Sequence, residues 1–151
     1  MKPIRSLARR LATSWNVLQS PGDRAALDAY PLIWGLHNYI DANLFTAHAT
    51  LRFLQLTRGP VWFTETGGLV KRRNHSRIRF PQGIRHARQA TAWVFKLAAL
   101  SPRVRRVYFY EWMPSPDRHA TWDSGLVDRH GRPRPALAIL RSWLLAHKRR
   151  S

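Results

Sequence analysis

Cysteine is absent from the 151 residues, which removes disulfides, thiolate nucleophiles and cysteine-based metal sites and leaves the compartment open. Acidic residues are scarce: 8 Asp and Glu stand against 26 Lys and Arg, for a net charge of +18. Only two of the acids, Glu65 and Glu111, are glutamates. No stretch approaches the roughly 20 uninterrupted apolar residues of a membrane-spanning helix, so no span is predicted. A Gly-rich phosphate cradle is missing too, because Gly67-Gly68 lacks the Lys-Ser/Thr of a P-loop and the spacing of a dinucleotide fingerprint. There is no serine nucleophile elbow. His48, His75, His86, His119, His130 and His147 contain no pair at convincing metal-ligand spacing. Nucleotide, serine-hydrolase and metal chemistry therefore fall away, and no cofactor is expected.

Long polar tracts are also lacking. With 44% hydrophobic residues, seven Trp and ten Pro, the chain is able to bury a core and does not have a disordered composition. Its length suits one domain and falls short of a self-contained (β/α)₈ barrel, which takes about 250 residues. The positive charge invites phosphate-bearing partners. A nucleic-acid or polyanion site would rest chiefly on Arg72, Arg73, Arg77, Arg79, Arg105 and Arg106. However, the 22 Arg are scattered through every segment, a pattern that favours solubilising charge and GC-rich codon usage.

Along the chain, Leu7, Leu11, Trp15 and Leu18 recur at helical spacing with Arg5, Arg9 and Arg10 between them, predicting a surface helix rather than a signal peptide. The same Arg-rich start is compatible with a transit or membrane-surface helix. After Ser20-Pro21-Gly22-Asp23, the apolar run Pro31 to Ile40 predicts a buried strand. A helix follows over 46–57, with Ala47, Leu51 and Leu54 on its apolar face, and Arg58-Gly59-Pro60 ends it. Val61 to Thr66 reads as a second strand, closed by Gly67-Gly68, and Lys71 to Arg79 as an exposed basic loop. A second helix is predicted from Gly83 to Leu100, with Ala87, Ala90, Val94 and Leu97 inward, and a third strand from Val104 to Trp112. A long loop from Met113 to Gly131 leads to a helix opened by Pro135, with Ala136, Leu140, Trp143 and Leu144 on one face. The pattern predicts an α/β fold: a helix, then three consecutive βα units with parallel strands. Three parallel strands leave two open edges, so the pattern reads as part of a larger unit.

Both glutamates fall at the carboxyl ends of predicted strands, the ligand-binding edge of α/β architectures. The first strand ends in His37-Asn38-Tyr39, and strand alternation would put His37 and Tyr39 on one face and Asn38 on the other. Glu65 sits among Thr64, Thr66, Gly67 and Gly68, small groups that leave its carboxylate accessible. Trp112 and Trp122 are candidate platforms for the apolar face of a sugar ring. Glu111 would hydrogen-bond at that site or to Arg106 or Arg118.

Four segments carry a resemblance: Trp34-Gly-Leu-His-Asn-Tyr-Ile-Asp-Ala-Asn43, Gly59-Pro-Val-Trp-Phe-Thr-Glu-Thr-Gly-Gly68, Val107-Tyr-Phe-Tyr-Glu-Trp112 and Trp122-Asp-Ser-Gly-Leu126. In order and spacing they resemble the last three strands of (β/α)₈ glycoside hydrolases of the cellulase and β-xylosidase clan. The tail from Asp123 to Ala136 is similar to the final-helix entry of those barrels. The resemblance implies a partial (β/α)₈ barrel in which Glu65 is the catalytic nucleophile of retaining hydrolysis. His37, Asn38, Tyr39, Glu111, Trp112 and Trp122 would then contact the sugar. The clan's acid follows an Asn on the fourth strand, and this chain has no Asn-Glu pair.

The expectation is therefore an N-terminal helix and linker over 1–30 and a carboxyl-terminal half-barrel over 31–151. The substrate would be a carbohydrate, and the missing half-barrel could be supplied by a separate chain. No signal peptide is visible, although one could precede the chain, and secretion would suit a polysaccharide hydrolase. The alternatives are a nucleic-acid or polyanion binder and a remnant that holds sugar without cleaving it.

Overall fold

A computed structural model describes residues 33–73 and 78–148. The expected N-terminal helix, the linker after it, Arg77 and His75 lie outside the described residues. Three strands, β1 (Trp34–His37), β2 (Val61–Thr66) and β4 (Val104–Phe109), form a parallel sheet in the order β1-β2-β4. The helices are α1 (Tyr39–Leu44), α2 (His48–Leu56), α3 (Ile84–Ala98) and α4 (Pro135–Lys148). A short antiparallel ladder pairs β3 (Lys71–Arg72) with β5 (Trp122–Asp123). The basic stretch thus begins as a strand, and the long loop after the third strand contains its partner. Neither pairing was predicted, because two residues are too few to show a period.

The β2 boundaries agree with those predicted, whereas β1 and β4 stop earlier than expected. At Asn38 the backbone leaves the extended region (φ −103°, ψ 33°) and enters α1, so Tyr39 is helical and strand alternation does not apply to it. After Phe109 the strand ends and the chain bends at Tyr110. Gly67-Gly68 is required by close approach: a Cβ on Gly67 would lie 2.6 Å from the Tyr110 carbonyl, and one on Gly68 would enter the backbone of Ala87. Those contacts bring the loop after β2 against both the β4 end and α3.

The core forms on one side of the sheet. Trp34, Leu36, Val61 and Phe63 meet Ala42, Val94 and Leu97 from the helices. The predicted α3 stripe of Ala87, Ala90, Val94 and Leu97 is fully buried. Two other stripes are corrected: Leu51 of α2 is 42% exposed and Leu144 of α4 is 51% exposed. On α4 the buried positions are Ala136 and Leu137, while Trp143 stacks on Phe95 at 4.6 Å. The opposite face of the sheet is open among the described residues, with Gly35, His37, Thr64, Arg106 and Tyr108 exposed.

Two polar side chains hold α2 from its ends. The residue before it, Ala47, offers no side-chain cap, and buried Asp41 takes that role from α1 by accepting from the Ala49 and Thr50 N–H groups at 3.3 and 2.5 Å. At the other end, Arg103 donates to the carbonyls of Leu54, Thr57 and Gly59 at 2.8, 2.8 and 2.9 Å. Each arrangement complements one pole of the helix dipole.

Candidate active site

The parallel register sets His37 directly beside Glu65 at the carboxyl end of the sheet. Each Glu65 carboxylate oxygen has a neighbour: the Tyr39 hydroxyl is 3.2 Å from Oε1, and His37 Nδ1 is 3.4 Å from Oε2. Tyr39 arrives from the first turn of α1, so the early end of β1 still delivers both predicted side chains to the carboxylate. The Tyr39 hydroxyl also lies 3.3 Å from the Tyr110 carbonyl. Burial first, and then the negative charge of Glu65, push the Tyr39 pKa far upward. The phenol therefore keeps its proton and acts as a donor to the carboxylate.

Trp122 closes the next side. Its ring meets Tyr39 edge-on at 4.8 Å, and its indole N–H donates to Ser124 Oγ at 2.8 Å. The Ser124 hydroxyl in turn donates to the Tyr110 carbonyl at 2.6 Å, tying the aromatic wall to the β4 end. Arg72 also lies against Trp122, with its guanidinium carbon 5.7 Å from the Trp122 ring centre and 4.7 Å from that of Phe80.

The other three expected contact residues, Asn38, Trp112 and Glu111, have surroundings of their own. Asn38 is buried at 2% exposure, and its amide atoms have no hydrogen-bond partner among the described residues. It continues the alternation of β1, in which Trp34 and Leu36 are buried and Gly35 and His37 exposed, and so lies inside, on the face opposite His37. Trp112 is 59% exposed, and Trp122 is the indole that meets Tyr39. Glu111 accepts from the Ser124 N–H at 3.3 Å instead of pairing with Arg106 or Arg118. Burial raises the Glu111 pKa, with Asp123 adding to the rise and the Ser124 N–H and Arg134 opposing it. Arg106 lies over Trp62 at 5.3 Å.

Asn43 organises the loop behind Glu65, although nothing in its local sequence singles it out. Its Nδ2 donates to the Tyr39 and Gly67 carbonyls at 3.0 and 2.9 Å, and its Oδ1 accepts from the Leu69 N–H at 2.8 Å. Those three backbone partners fix the amide orientation. His86 Nε2, 3.0 Å from the same Oδ1, must therefore carry the ring proton. Burial lowers the pKa of His86, which favours the neutral ring, and the Asn43 contact places its proton on Nε2.

The described aspartates are engaged elsewhere. Asp41 caps α2, Asp117 accepts from the His119 N–H at 2.8 Å, and Asp123 takes both Arg134 nitrogens at 2.6 and 2.9 Å. Asp128 is pushed down to about 2: desolvation raises it, and the Arg132 and His130 N–H groups together with the Arg132 guanidinium outweigh that rise. Among the described residues, no three His, Asp or Glu side chains gather in a way that could hold a metal ion. No described helix is long and apolar enough to cross a membrane.

No protein-family model matches the chain, and no curated protein sequence matches it. Solved structures do match. A β-glucuronidase of Bifidobacterium dentium complexed with coumarin-3-O-glucuronide is 16% identical with a TM-score of 0.54, over 74% of this chain and 20% of that one. A β-glucuronidase of an uncultured Clostridium sp. is 14% identical with a TM-score of 0.53, over 72% of this chain and 22% of that one. One from Ruminococcus gnavus, in complex with N1-substituted uronic isofagomine, is 12% identical with a TM-score of 0.54, over 80% of this chain and 24% of that one. The chain thus spans about a fifth to a quarter of the length of these structures. At such identities the likeness is one of fold: a glycoside hydrolase-like α/β unit built on a parallel sheet.

Proposed function

We propose that this chain carries the nucleophile side of a retaining glycoside hydrolase, with Glu65 attacking the anomeric carbon of a carbohydrate substrate. The observation that carries the reading is the setting of Glu65. It stands at the carboxyl end of the central strand, with Tyr39 and His37 on its two oxygens and an aromatic wall alongside. A protonated phenol on one oxygen orients the carboxylate without neutralising it. The other oxygen, beside a solvent-exposed imidazole, is the one left to form the glycosyl ester. Trp122 and Tyr39 offer apolar faces to the sugar ring. The glycoside hydrolase-like fold supports the assignment, and the site residues come to it from their geometry.

Retaining hydrolysis also takes a second carboxyl group, about 5 Å from the nucleophile, to protonate the leaving oxygen. The described aspartates already cap, brace or pair, and Glu111 is turned to the Ser124 N–H. In this reading the general acid comes from a partner polypeptide or from further sequence of the same enzyme, in keeping with a half-barrel.

A substrate whose leaving group needs no proton tests the nucleophile separately from the acid. Incubating the chain with 2,4-dinitrophenyl 2-deoxy-2-fluoroglycosides of gluco, xylo and glucurono configuration should release dinitrophenolate in a single burst. Mass spectrometry should then find one fluoroglycosyl group on the peptide containing Glu65. Glu65→Gln should abolish both signals. A label elsewhere, or a burst that persists in Glu65→Gln, rejects the assignment. Sugar binding without any label would favour the non-hydrolytic reading, in which the same aromatic wall simply holds carbohydrate.

A further inference from the structure

Away from the candidate active site, β4 pairs with β2 on one side, and the sheet order β1-β2-β4 leaves its other side unpaired among the described residues. The Tyr110 N–H points to β2, donating to the Thr66 carbonyl at 2.8 Å. Successive amides of a strand point to opposite sides, so the Val107 N–H, three residues earlier, faces the open edge. A groove runs along that edge, lined by Phe95 of α3 and by Leu140, Trp143 and Leu144 of α4. Trp143 stacks on both Phe95 and His147, at 4.6 and 3.9 Å, which orders this apolar wall, while Leu144 stays exposed. Arg105 and Arg106 line the groove from β4, and no acid does so among the described residues.

We propose that this groove takes up a β-strand of a second, acidic polypeptide, which pairs with the open edge of β4 and lays alternate apolar side chains against α4. The surface carries the proposal, whether or not Glu65 is a nucleophile. An unpaired edge offers backbone donors and acceptors, and the neighbouring apolar wall adds the side-chain contacts that a bare edge lacks. Charge and bulges also guard edges against pairing, and the ladder register does pass over Arg105, from Val104 to Arg106. That irregularity precedes Val107 and leaves the later part of the edge able to pair. The partner's charge follows from complementarity: Asp or Glu flanking the incoming strand would meet Arg105 and Arg106. A second copy of this chain fits poorly, because each copy carries a net charge of +18. Residues 1–32 of the same chain fit poorly as well, with five basic residues against two acidic ones.

Fluorescence anisotropy on the full chain tests this with a labelled peptide, Glu-Glu-Val-Thr-Val-Tyr-Val-Thr-Glu-Glu, and with the same core flanked by Lys. The acidic peptide should bind about tenfold or more tightly than the basic one. N-methylation throughout its core, which prevents backbone pairing, should abolish binding. Leu144→Glu should weaken binding of the acidic peptide about tenfold, and Arg105→Glu should remove the preference for acidic flanks; both positions are exposed, so neither change disturbs the core. Hydrogen exchange at the Val107 amide should slow when the acidic peptide is bound. No binding, or equal binding of the two peptides, overturns the proposal. So does acidic binding that survives Leu144→Glu or N-methylation, or that leaves Val107 exchange unchanged. A Val107 amide already protected in the free chain also overturns it: the cover is a second copy if protection rises with concentration, and residues 1–32 if it does not. Labelling of Glu65 by activated glycosides is read separately, so either proposal can fail without the other.

Discussion

Tyr39 holds a single hydroxyl proton between the Glu65 carboxylate and the Tyr110 carbonyl. Replacing it by Phe leaves the ring against Trp122 and removes only that donor. Labelling of Glu65 by an activated glycoside should then slow by about tenfold, the scale of one hydrogen bond to a charged group. A second consequence is alkaline. The folded chain keeps a proton that the unfolded chain releases above the ordinary tyrosine value of 10.0, because the Tyr39 pKa is raised by burial and by Glu65. That contribution to stability is complete below 10.0 and is lost as the pH rises further. Urea midpoints should therefore fall more steeply beyond that pH in the wild type than in Tyr39→Phe; parallel curves would refute the linkage. Glu65, His37, Tyr39 and Trp122 were all legible in the sequence, because their chemistry falls at strand ends or beside small residues. The bracing role of Asn43 was not, and Arg72 was legible only as one of six basic candidates, since the partners of both lie in other elements and nothing local marks those contacts.

Among the elements, the helices and strands with a long apolar pattern are the ones the sequence locates well. The α3 stripe and the extent of β2 agree with periodicity, whereas β3 and β5 exist through pairing with each other. The α2 helix shows a subtler dependence, because it is held at both ends by side chains from outside it. Its carboxyl end relies on Arg103, which gathers three carbonyls and the Thr57 hydroxyl. Arg103→Met should destabilise the fold by about 1.5–3 kcal/mol in urea denaturation, the range for hydrogen bonds to a charged donor. Arg103→Lys keeps the charge near the helix end but loses the planar fork, so it should recover only part of that loss. A neutral Arg103→Met would show that water replaces the clamp at no cost.

At the scale of the molecule, the described sheet is one-sided. Val61 and Phe63 are fully buried against the helices, while Thr64, Arg106 and Tyr108 face outward. The strand expected to be buried from the apolar run Pro31 to Ile40 is covered on one face only among the described residues, and stability should depend on that face alone. Phe63→Ala should cost about 3–5 kcal/mol, whereas Tyr108→Thr should stay within about 0.5 kcal/mol. Chemical denaturation of the two variants checks this; similar losses would mean that the open face is covered in solution.

The sequence by itself determined the order of the three parallel strands, their alternation with helices, and the placing of Glu65 at a strand end beside two glycines. These follow from periodicity and backbone preference, which act over a few residues and leave their mark in the local order of amino acids. The tertiary structure alone decided that Asn43 braces the loop, that Trp122 rather than Trp112 meets Tyr39, and that a basic strand reaches the candidate site. Those outcomes depend on where the chain turns after β1 and β4, and on pairings between segments far apart in sequence. Such pairings are fixed by packing and backbone hydrogen bonds formed only when the sheet and helices close on one another.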